Sequence, residues 1–463
     1  MKTLRLKRNV NIDLLNGSIF PSMVAFAIPI LFSSLFQQLY NTMDAVIVGH
    51  TLGENALAAM GAATPVYDLL IGFALGIGNG LSIVTARSYG TKDEELLKRS
   101  VAVSIVIGAA ITLTLTVLTR FLLMPFLKLL NTPAEILQEA YSYISVITLF
   151  TGVMFAYNLC AGILRAIGNS FMPLLFLILS SVLNIFLDVL FIAGFDMGVM
   201  GAAVATVIAQ GISVALCVIY IGRCAKILVP SKHHFHFDKG LYMEMAAQGF
   251  SMGFMSCLVS AGSAVLQAGI NGLGYMVIAG HIAARKLFQL GMMPFLAMIS
   301  AVSTFVSQNY GAGRVDRIRK AMTYSYWYNA AITIGMTLLM ALFAPYMVKL
   351  ISGSEEPIII QNGTRYLQVV APAYFVLGLV NNTRTALQAI GSKILPILSS
   401  IIELIGKIVF VIVFIPKFQY NAVIFCEPVI WCFMAVELLI AFWRNPCIRG
   451  EKEYAIQRME NNT

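Results

Sequence analysis

The sequence predicts an all-α, polytopic membrane protein of about twelve transmembrane helices, arranged as two parallel six-helix bundles. Three observations predict this fold: an apolar composition, a succession of apolar stretches of spanning length, and a first half that recurs in the second. Apolar residues make up 59% of the 463 residues, and charged residues make up 11%. Soluble domains carry about 25% charged residues, so a soluble fold is excluded.

Apolar stretches of the length that crosses a bilayer follow one another along the whole chain. A helix of about 20 apolar residues crosses the hydrocarbon core, so each stretch indicates one span. The predicted centres lie near Leu31, Gly72, Ala109, Phe150, Leu179, Ile208, Ser256, Phe295, Ile332, Tyr374, Phe410 and Val436.

The distribution of lysine and arginine predicts how these spans are oriented. Basic residues concentrate in the N-terminal segment 1–18, in the connections after spans 2, 6 and 8, and in the C-terminal tail. Because basic segments are retained in the cytoplasm, both termini are predicted to be cytoplasmic, in a multi-pass protein of the cell membrane. Segment 1–18 lacks a small-residue cleavage site, so we expect it to be retained. The polar connection 223–240 is predicted to be a cytoplasmic linker between an N-terminal lobe, 1–222, and a C-terminal lobe with its tail, 241–463.

Two pairs of sequence echoes show that the chain is a duplicated half. LRAIGNSFMP at 164–173 recurs as LQAIGSKILP at 387–396, 223 positions later (387 − 164). RSYG at 87–90 recurs as QNYG at 308–311, 221 positions later (308 − 87). Each half holds an even number of predicted spans, so the repeats are parallel. This architecture is typical of transporters that work by alternating access, with a site between the repeats.

Acidic residues inside the predicted spans of the first half are candidates for function, because charge in a bilayer is costly. Asp44 lies near the end of span 1, and Asp188 lies in span 5, four residues after Asn184 on the same helical face. With Thr206 of span 6 they can offer an all-oxygen site to Na⁺, or desolvation can let a carboxyl group carry H⁺. The structural alternatives are a helix cap at Asp44 and a buried hydrogen-bond donor beside Asp188.

The second half carries a different set of charged residues in or near its spans: Arg285, Lys286, Arg384, Glu403 and Lys407. Glu403 and Lys407 are one helical turn apart, so mutual neutralisation is favoured over substrate contact. Glu427 and Glu437 are interpreted as lone structural or interfacial acids. At the offset of 223, Lys407 corresponds to Asn184, and Val411 corresponds to Asp188. The proposed ion site is therefore predicted in the N-terminal lobe alone.

Other functional classes have little support in the sequence. The net charge of +9 is explained by topology, so no nucleic-acid partner is expected. The seven cysteines form no C-x-x-C pair and are interpreted as small buried hydrophobic residues. The histidines of 233–236 are interpreted as part of a solvated linker without acidic partners, and GIGNG at 76–80 as a close helix contact. Neither H-E-x-x-H nor G-x-S-x-G occurs, so no enzyme is predicted.

Several motifs, taken together and in this order, resemble those of the multidrug and toxic compound extrusion (MATE) family. They cover most of the chain: QQLYNTMDAVIVGHTLGENALAAMG at 37–61, GILRAIGNSFMP at 162–173, LNIFLDVLFI at 183–192, GVMGAAVAT at 198–206 and SQNYGAGRVDR at 307–317. Within the family, the sequence looks most similar to the prokaryotic DinF-type branch.

The resemblance implies a V-shaped, twelve-helix antiporter that exports organic, often cationic and lipophilic, compounds in exchange for Na⁺ or H⁺. It implies no cofactor beyond the coupling ion, and we expect a monomer whose partners are lipid and small organic substrates. The coupling site of the DinF-type branch would fall on Asp44, Asn184, Asp188 and Thr206. Substrate-facing positions would fall on Gln38, Tyr40, Tyr143 and Asn158.

One region departs from the NorM-type branch of the same family. Span 10 reads LGLVNNTRTALQ at 377–388, with an arginine and no acid. The resemblance therefore places no coupling site in the C-terminal lobe, where Arg285, Arg384, Glu403 and Lys407 remain a possible polar site for an anionic or zwitterionic substrate. Two alternative functions stay open: a lipid-linked oligosaccharide flippase of the wider superfamily, and a non-transporting membrane receptor or scaffold.

Overall fold

The computed structural model describes residues 11–130 and 132–450, and the regular elements of these ranges are helices. The first half contains α1 (Ile19–Leu52), α2 (Glu54–Gly90), α3 (Glu94–Leu129), α4 (Ala134–Leu149), α5 (Thr151–Ala166), α6 (Phe171–Asp188), a π-helical segment (Val189–Gly194) and α7 (Val199–Cys224). Two 3₁₀ turns follow, Lys226–Leu228 and Lys232–Phe235. The second half contains α8 (Lys239–Asn271), α9 (Tyr275–Gly311), α10 (Val315–Ser352), α11 (Pro357–Ala389), α12 (Ile394–Val409), a π-helical segment (Phe410–Phe414), α13 (Ile415–Phe418), α14 (Tyr420–Trp443) and α15 (Pro446–Arg449).

The helices match the spans that the sequence predicts. Among the described residues, ten helical segments are long and apolar enough to cross a membrane, and the pair α4 and α5, bent by 49°, makes an eleventh. The predicted centre Phe150 lies at the bend of this pair. The remaining predicted span, centred on Tyr374, is the 33-residue helix α11, which is less apolar because it carries Asn381, Asn382 and Arg384. The all-α, multi-pass fold is confirmed.

Local sequence signals set several helix boundaries. Asp93 caps α3 by accepting hydrogen bonds from the backbone N–H groups of Glu95 and Leu96, at 2.9 and 3.1 Å. Helix α10 ends at Ser352, and the next residue, Gly353, has a φ of 62°, a left-handed conformation that glycine adopts at little cost. A polar N-cap therefore sets the start of α3, and a glycine sets the end of α10.

The duplication is visible in the local backbone structure. Gly168 and Gly391, 223 positions apart (391 − 168), both have positive φ, at 88° and 91°. Their N–H groups bond to the carbonyl groups of Arg165 and Gln388, and each turn leads into the helix before a π-helical segment. The two LxAIG motifs therefore encode the same turn, and each half builds a span that ends in a π-helical segment.

Contacts divide the described chain into two compact units. The first contains residues 11–250 and 307–313, and the second contains residues 251–306 and 314–450. In the first unit, a buried core between α2, α3 and α5 includes Ile77, Leu81, Leu97 and Leu164. Residues 223–240 belong to the first unit, and the division into lobes at this segment stays a prediction.

The RSYG and QNYG motifs contact each other within the first unit. A Cβ atom added to Gly90 would overlap the backbone carbonyl of Gln308, and one added to Gly311 would overlap the carbonyl of Arg87. Gln308 also donates a hydrogen bond from Nε2 to the Ala166 carbonyl at 2.8 Å. The C-terminal ends of α2 and α9 are therefore in close backbone contact, and each helix contributes a glycine that faces the backbone of the other.

Gly90→Ala is expected to lower the thermal stability of the purified protein. The added methyl group meets backbone that cannot rotate away, and overpacking of this kind costs about 1–3 kcal/mol. The matched control is Gly72→Ala on the same helix, because a Cβ atom there has no neighbour within 4 Å. Thermal unfolding followed by tryptophan fluorescence compares the two variants. Equal midpoints for Gly90→Ala and Gly72→Ala would contradict the close approach.

Candidate functional site

Helices α1, α6 and α7 bring the four predicted coupling residues together. Asp44, Asn184, Asp188 and Thr206 are all buried, with exposed fractions of 6% or less. Asn184 Nδ2 lies 3.5 Å from Thr206 Oγ1. The carboxyl groups of Asp44 and Asp188 interact electrostatically with each other. Residues separated by up to 162 positions (206 − 44) therefore form one polar cluster inside the first unit.

Several oxygen atoms of this cluster have no hydrogen-bond partner. They are Oδ1 of Asp44, Oδ1 of Asn184 and both carboxylate oxygens of Asp188, and all are buried. A buried carboxylate must be protonated, paired or bound to a cation, because an isolated buried charge is very costly. Oxygen atoms of carboxylates and amides are the ligands that hard cations prefer. The cluster is therefore suited to bind H⁺ or a monovalent metal cation.

The structural alternatives for the two acids do not describe this cluster. Asp44 lies inside α1, eight residues before its last residue, so it caps no helix end. Asp188 has no hydrogen-bond donor on either carboxylate oxygen. Asp188 is also the last residue of α6, directly before the π-helical segment Val189–Gly194. π-Helical turns interrupt the regular helical register and are frequent at functional sites.

Tyrosine side chains surround the acidic pair. The Tyr40 hydroxyl interacts with Thr206, and Tyr40 and Tyr143 both interact electrostatically with Asp44. Tyr67 of α2 interacts with both of these tyrosines. Tyr40 and Tyr143 are among the substrate-facing residues that the sequence analysis predicts. Tyr67 is not among them; it lies three residues after Thr64 on α2, which faces α1. The result is a partly aromatic wall beside the two carboxyl groups.

A cavity of about 510 Å³ opens beside this wall, between α1, α2, α4 and α7. Its lining is Tyr40, Asn41, Asp44, Ala45, Leu57, Met60, Gly61, Ala63, Thr64, Tyr67, Asp68, Tyr143, Ile147 and Thr206. Pockets for drug-sized molecules measure about 300–1,000 Å³, so this volume admits a small organic molecule.

A second, smaller cavity of about 30 Å³ shares the lining residues Tyr40, Tyr67 and Thr206 with the larger one. Asn158 and Asn184 line it. Asn158 is held by a hydrogen bond from its Nδ2 to the Met154 carbonyl at 2.9 Å. A cavity of this size holds about one or two waters or an ion. An ion-sized space and a substrate-sized one therefore have Tyr40, Tyr67 and Thr206 in common.

The position predicted at Gln38 is the exception among the substrate-facing residues. Gln38 is exposed and lines neither cavity, and its neighbour Gln37 lines the smaller one. One residue along an α-helix is a rotation of about 100°, so adjacent glutamines face different directions. The structure therefore brings Tyr40, Tyr143 and Asn158 to the cavities and leaves Gln38 outside them.

The charged residues of the second unit form a buried chain of alternating sign. At its centre, Lys407 Nζ lies 2.9 Å from Glu403 Oε1 and 3.4 Å from Glu427 Oε1. Arg285 Nη1 contacts Glu427 Oε2 at 2.7 Å, and Arg384 Nη2 lies 3.8 Å from Glu403 Oε2. The predicted pairing of Glu403 with Lys407 is therefore present, within a larger network.

The interpretation of Glu427 as a lone acid is wrong. It is buried, contacts two cations and accepts a hydrogen bond from the Tyr366 hydroxyl at 3.3 Å. Charge accounting could have found this role, since Arg285, Arg384 and Lys407 outnumber the single acid assigned to them. Glu437 interacts electrostatically with Arg384, although both of its carboxylate oxygens lack a hydrogen-bond partner. Most of the charged residues in the spans of the second half therefore pair with one another in this network.

Two minor interpretations also need correction. The linker histidines do have an acidic partner, because His234 Nε2 lies 3.0 Å from Glu95 Oε2 of α3 and His234 is buried. Among the cysteines, Cys224 and Cys432 are exposed, whereas Cys217 and Cys426 are buried as expected.

Comparison with known proteins agrees with the fold and the repeat. The MatE family model matches residues 29–190 and 252–413, two copies offset by 223 positions (252 − 29). The chain is 27% identical over 403 residues to "Probable multidrug resistance protein YoeA" of Bacillus subtilis, covering 84% of this chain and 85% of that protein. It is 24% identical over 430 residues to "Multidrug export protein MepA" of Staphylococcus aureus (strain MSSA476), covering 91% and 92%.

Solved structures show the same fold. "Crystal structure of MATE in complex with MaL6" superposes with a TM-score of 0.87 at 24% identity, covering 95% of this chain and 99% of that one. A transporter from Pyrococcus furiosus, described as "Reverse polarity of binding pocket suggests different function of a MOP superfamily transporter", superposes with a TM-score of 0.85 at 24% identity, covering 95% and 98%. Membership of the DinF-type branch stays a prediction. The two matched segments span most of the chain, which therefore belongs to the MatE family of membrane transporters.

Proposed function

We propose that the protein is a secondary antiporter that exports small organic compounds across the cell membrane in exchange for H⁺ or Na⁺. The observation that carries the proposal is the set of buried, unpartnered oxygen atoms on Asp44, Asn184 and Asp188, next to a cavity that Asp44 itself lines. The names of the relatives, which describe multidrug resistance and export, support the organic substrate. The distribution of basic residues supports cytoplasmic termini.

The shared position of Asp44 supplies a physical basis for exchange. Its carboxyl group interacts electrostatically with Asp188 and also lines the substrate-sized cavity. A proton or Na⁺ bound between the two carboxyl groups neutralises the negative charge that faces the cavity. A cationic substrate in the cavity favours the opposite, ion-free state. Each ligand therefore weakens the binding of the other, and a coupling of this kind is reciprocal.

The alternating step follows from the same competition. A transporter with two conformations shifts toward the one that its bound ligand favours, by no more than the difference in binding free energy. Ion binding removes the repulsion between Asp44 and Asp188, so the ion-bound and ion-free states favour different arrangements of α1 against α6. We propose that this difference drives the return step of export.

Gradient-driven uptake into proteoliposomes tests the proposal. We expect ethidium to accumulate against its own gradient when either a pH gradient or a Na⁺ gradient is imposed alone. A tenfold ion gradient supplies about 1.4 kcal/mol, so electroneutral one-for-one exchange gives about tenfold accumulation. Protein-free liposomes and vesicles with a matching ionophore are the controls. No accumulation under either gradient would reject the antiporter, and the responding gradient identifies the ion.

A further inference from the structure

An additional acid lies in the membrane-spanning part of α2. Asp68 is fourteen residues into this 37-residue helix, and it lines the 510 Å³ cavity. Its side chain is exposed, and no ion-pair partner is found for its carboxylate within residues 11–130 and 132–450. Carboxylates inside spans are costly and lie where they face water, a partner or a ligand. Asp68 faces a cavity with no partner of its own, so it needs a functional explanation.

The helical face that carries Asp68 is shaped to receive a ligand. Leu57, Gly61, Thr64 and Asp68 follow one another at intervals of three or four residues, so they share one face of α2. All four line the cavity. A Cβ atom added to Gly61 would meet nothing within 4 Å, so open space lies beside this face. Asp68 therefore lies at one end of this cavity-lining face of α2, and the face has open space beside Gly61.

The charge and the chemistry of the lining select a cation. The lining holds two carboxylates, Asp44 and Asp68, and no lysine, arginine or histidine. Asp44 is nine-tenths buried, with one oxygen unpartnered. Three tyrosine rings complete the wall, and the faces of aromatic rings attract organic cations. The cavity is therefore negative, partly aromatic and large enough for a drug-sized monocation.

The two cavity acids belong to different electrostatic neighbourhoods. Asp44 interacts with Asp188, Tyr40 and Tyr143. Asp68 interacts with Tyr67, on its own helix, and both acids line the larger cavity. Asp44 is thus shared between the ion cluster and the cavity, whereas Asp68 lines the cavity outside the ion cluster.

We propose that Asp68 is the counter-ion for the cationic group of the transported substrate and sets selectivity for organic monocations over neutral compounds of the same shape. This inference rests on the proposed antiporter function. It assigns the acidic residues to two roles, binding of the coupling ion and binding of the substrate. Asp44 and Asp188 bind the coupling ion, and Asp68 holds the positive end of the substrate while the tyrosine wall and Met60 contact its apolar body. A neutral compound of the same shape still enters the cavity, but it gains nothing from Asp68.

A matched pair of probes separates charge from shape. Tetraphenylphosphonium is an aromatic monocation, and triphenylphosphine oxide is a neutral compound with the same phenyl groups on phosphorus. Equilibrium binding of both is measured by calorimetry on the detergent-purified full-length protein. For Asp68→Asn, we expect the dissociation constant for tetraphenylphosphonium to rise about tenfold, since removing one charged partner is worth about 1.4 kcal/mol. The dissociation constant for triphenylphosphine oxide is expected to stay near the wild-type value.

Two further variants keep the test decisive. Asp68→Glu retains the charge and is expected to restore most of the cation affinity. Glu54→Gln removes the same charge from the exposed start of the same helix, outside the cavity lining, and is expected to bind both probes as the wild type does. Circular dichroism and size-exclusion chromatography check that each variant is folded.

Several results would overturn the proposal. They are wild-type affinity of Asp68→Asn for tetraphenylphosphonium, an equal loss of affinity for both probes, an equal effect of Glu54→Gln, and a wild-type protein that binds the neutral probe but not the cation. The ethidium experiment on the wild-type protein distinguishes such a failure from a failure of the antiporter itself. Ion-driven accumulation with an unaffected Asp68→Asn variant would retain the antiporter and reject Asp68 as the substrate counter-ion.

Discussion

Asp188→Asn is expected to abolish ion-driven accumulation of ethidium while leaving a folded protein in the membrane. Asparagine has nearly the same shape as aspartate, so the packing of α6 is retained, but the amide carries no negative charge and releases no proton. Loss of a buried charge partner costs about 3 kcal/mol, which weakens cation binding about 100-fold. Asp44→Asn is expected to have the same effect, because its carboxyl group is the other half of the pair.

The measurement is ethidium accumulation in proteoliposomes under the gradient that drives the wild type. Asp196→Asn is the matched control, because Asp196 is exposed and lies just beyond the π-helical segment that follows Asp188. Its φ of 53° is a conformation that asparagine also tolerates. Asp196→Asn is therefore expected to transport normally. Accumulation at the wild-type level by Asp188→Asn would remove the carboxyl pair from the coupling mechanism.

Exchange of ethidium without an ion gradient separates binding from coupling in these variants. If the carboxyl pair serves the ion, Asp188→Asn still binds ethidium in the cavity, since Asp188 does not line it. Binding retained together with accumulation lost would locate the defect in coupling. Loss of both would place Asp188 in substrate binding as well, contrary to the division of roles between Asp188 and Asp68.

The sequence predicts most of the coupling cluster for identifiable physical reasons. Asn184 and Asp188 are four residues apart, so helical periodicity alone puts them on one face. Asp44 stands out because an acid in an apolar span is rare and costly. Thr206 is a candidate from its place on the adjacent span 6, and the family resemblance implies the same residue. Its actual neighbours depend on the packing of α7 against α6, which the sequence pattern does not give.

The residues that were missed depend on helix rotation or on distant contacts. A helix that is apolar on every side gives no periodic signal for its rotation, so Gln37 could not be told from Gln38. The same uncertainty hid Tyr67 and Asp68 on α2. Glu427 contacts Arg285, 142 positions away, and a contact of this kind follows from tertiary packing alone. Local patterns therefore predict which residues are unusual, whereas packing decides what they meet.

Lys407→Met is expected to produce the largest loss of stability among substitutions in the second unit. Lys407 is 1% exposed and lies between the carboxylates of Glu403 and Glu427. Methionine retains an unbranched chain of similar length but removes the charge, which leaves two buried acids with one fewer cation. Breaking a buried ion pair by removing one partner costs about 3–5 kcal/mol. The expected result is a strongly lowered unfolding midpoint or loss of the folded protein from the membrane.

Lys349→Met provides the contrast, because Lys349 and Glu355 form an ion pair of similar length, 2.8 Å, with exposed fractions of 53% and 84%. Exposed ion pairs contribute little to stability because solvent screens them, so this variant is expected to unfold near the wild-type midpoint. Lys407→Arg keeps the charge and should fall between the two. Thermal unfolding in detergent and the yield of membrane-inserted protein are measured for all three variants. Equal unfolding midpoints for Lys407→Met and Lys349→Met would show that the buried ion pairs do not stabilise the second unit.

The sequence repeat explains why the stability of the second unit is expected to depend strongly on Lys407. At the offset of 223, Lys407 of the second half corresponds to Asn184 of the first half. The second half therefore has an ammonium group at this position, whereas the first half has an amide beside carboxylate oxygens that lack a hydrogen-bond partner. In the proposed antiporter, the ammonium group supplies within the chain the positive charge that the first half takes from the coupling ion. Loss of Lys407 should therefore impair folding, whereas loss of Asp188 should impair transport. An Asp188→Asn protein that unfolds as readily as Lys407→Met would contradict this difference between the two halves.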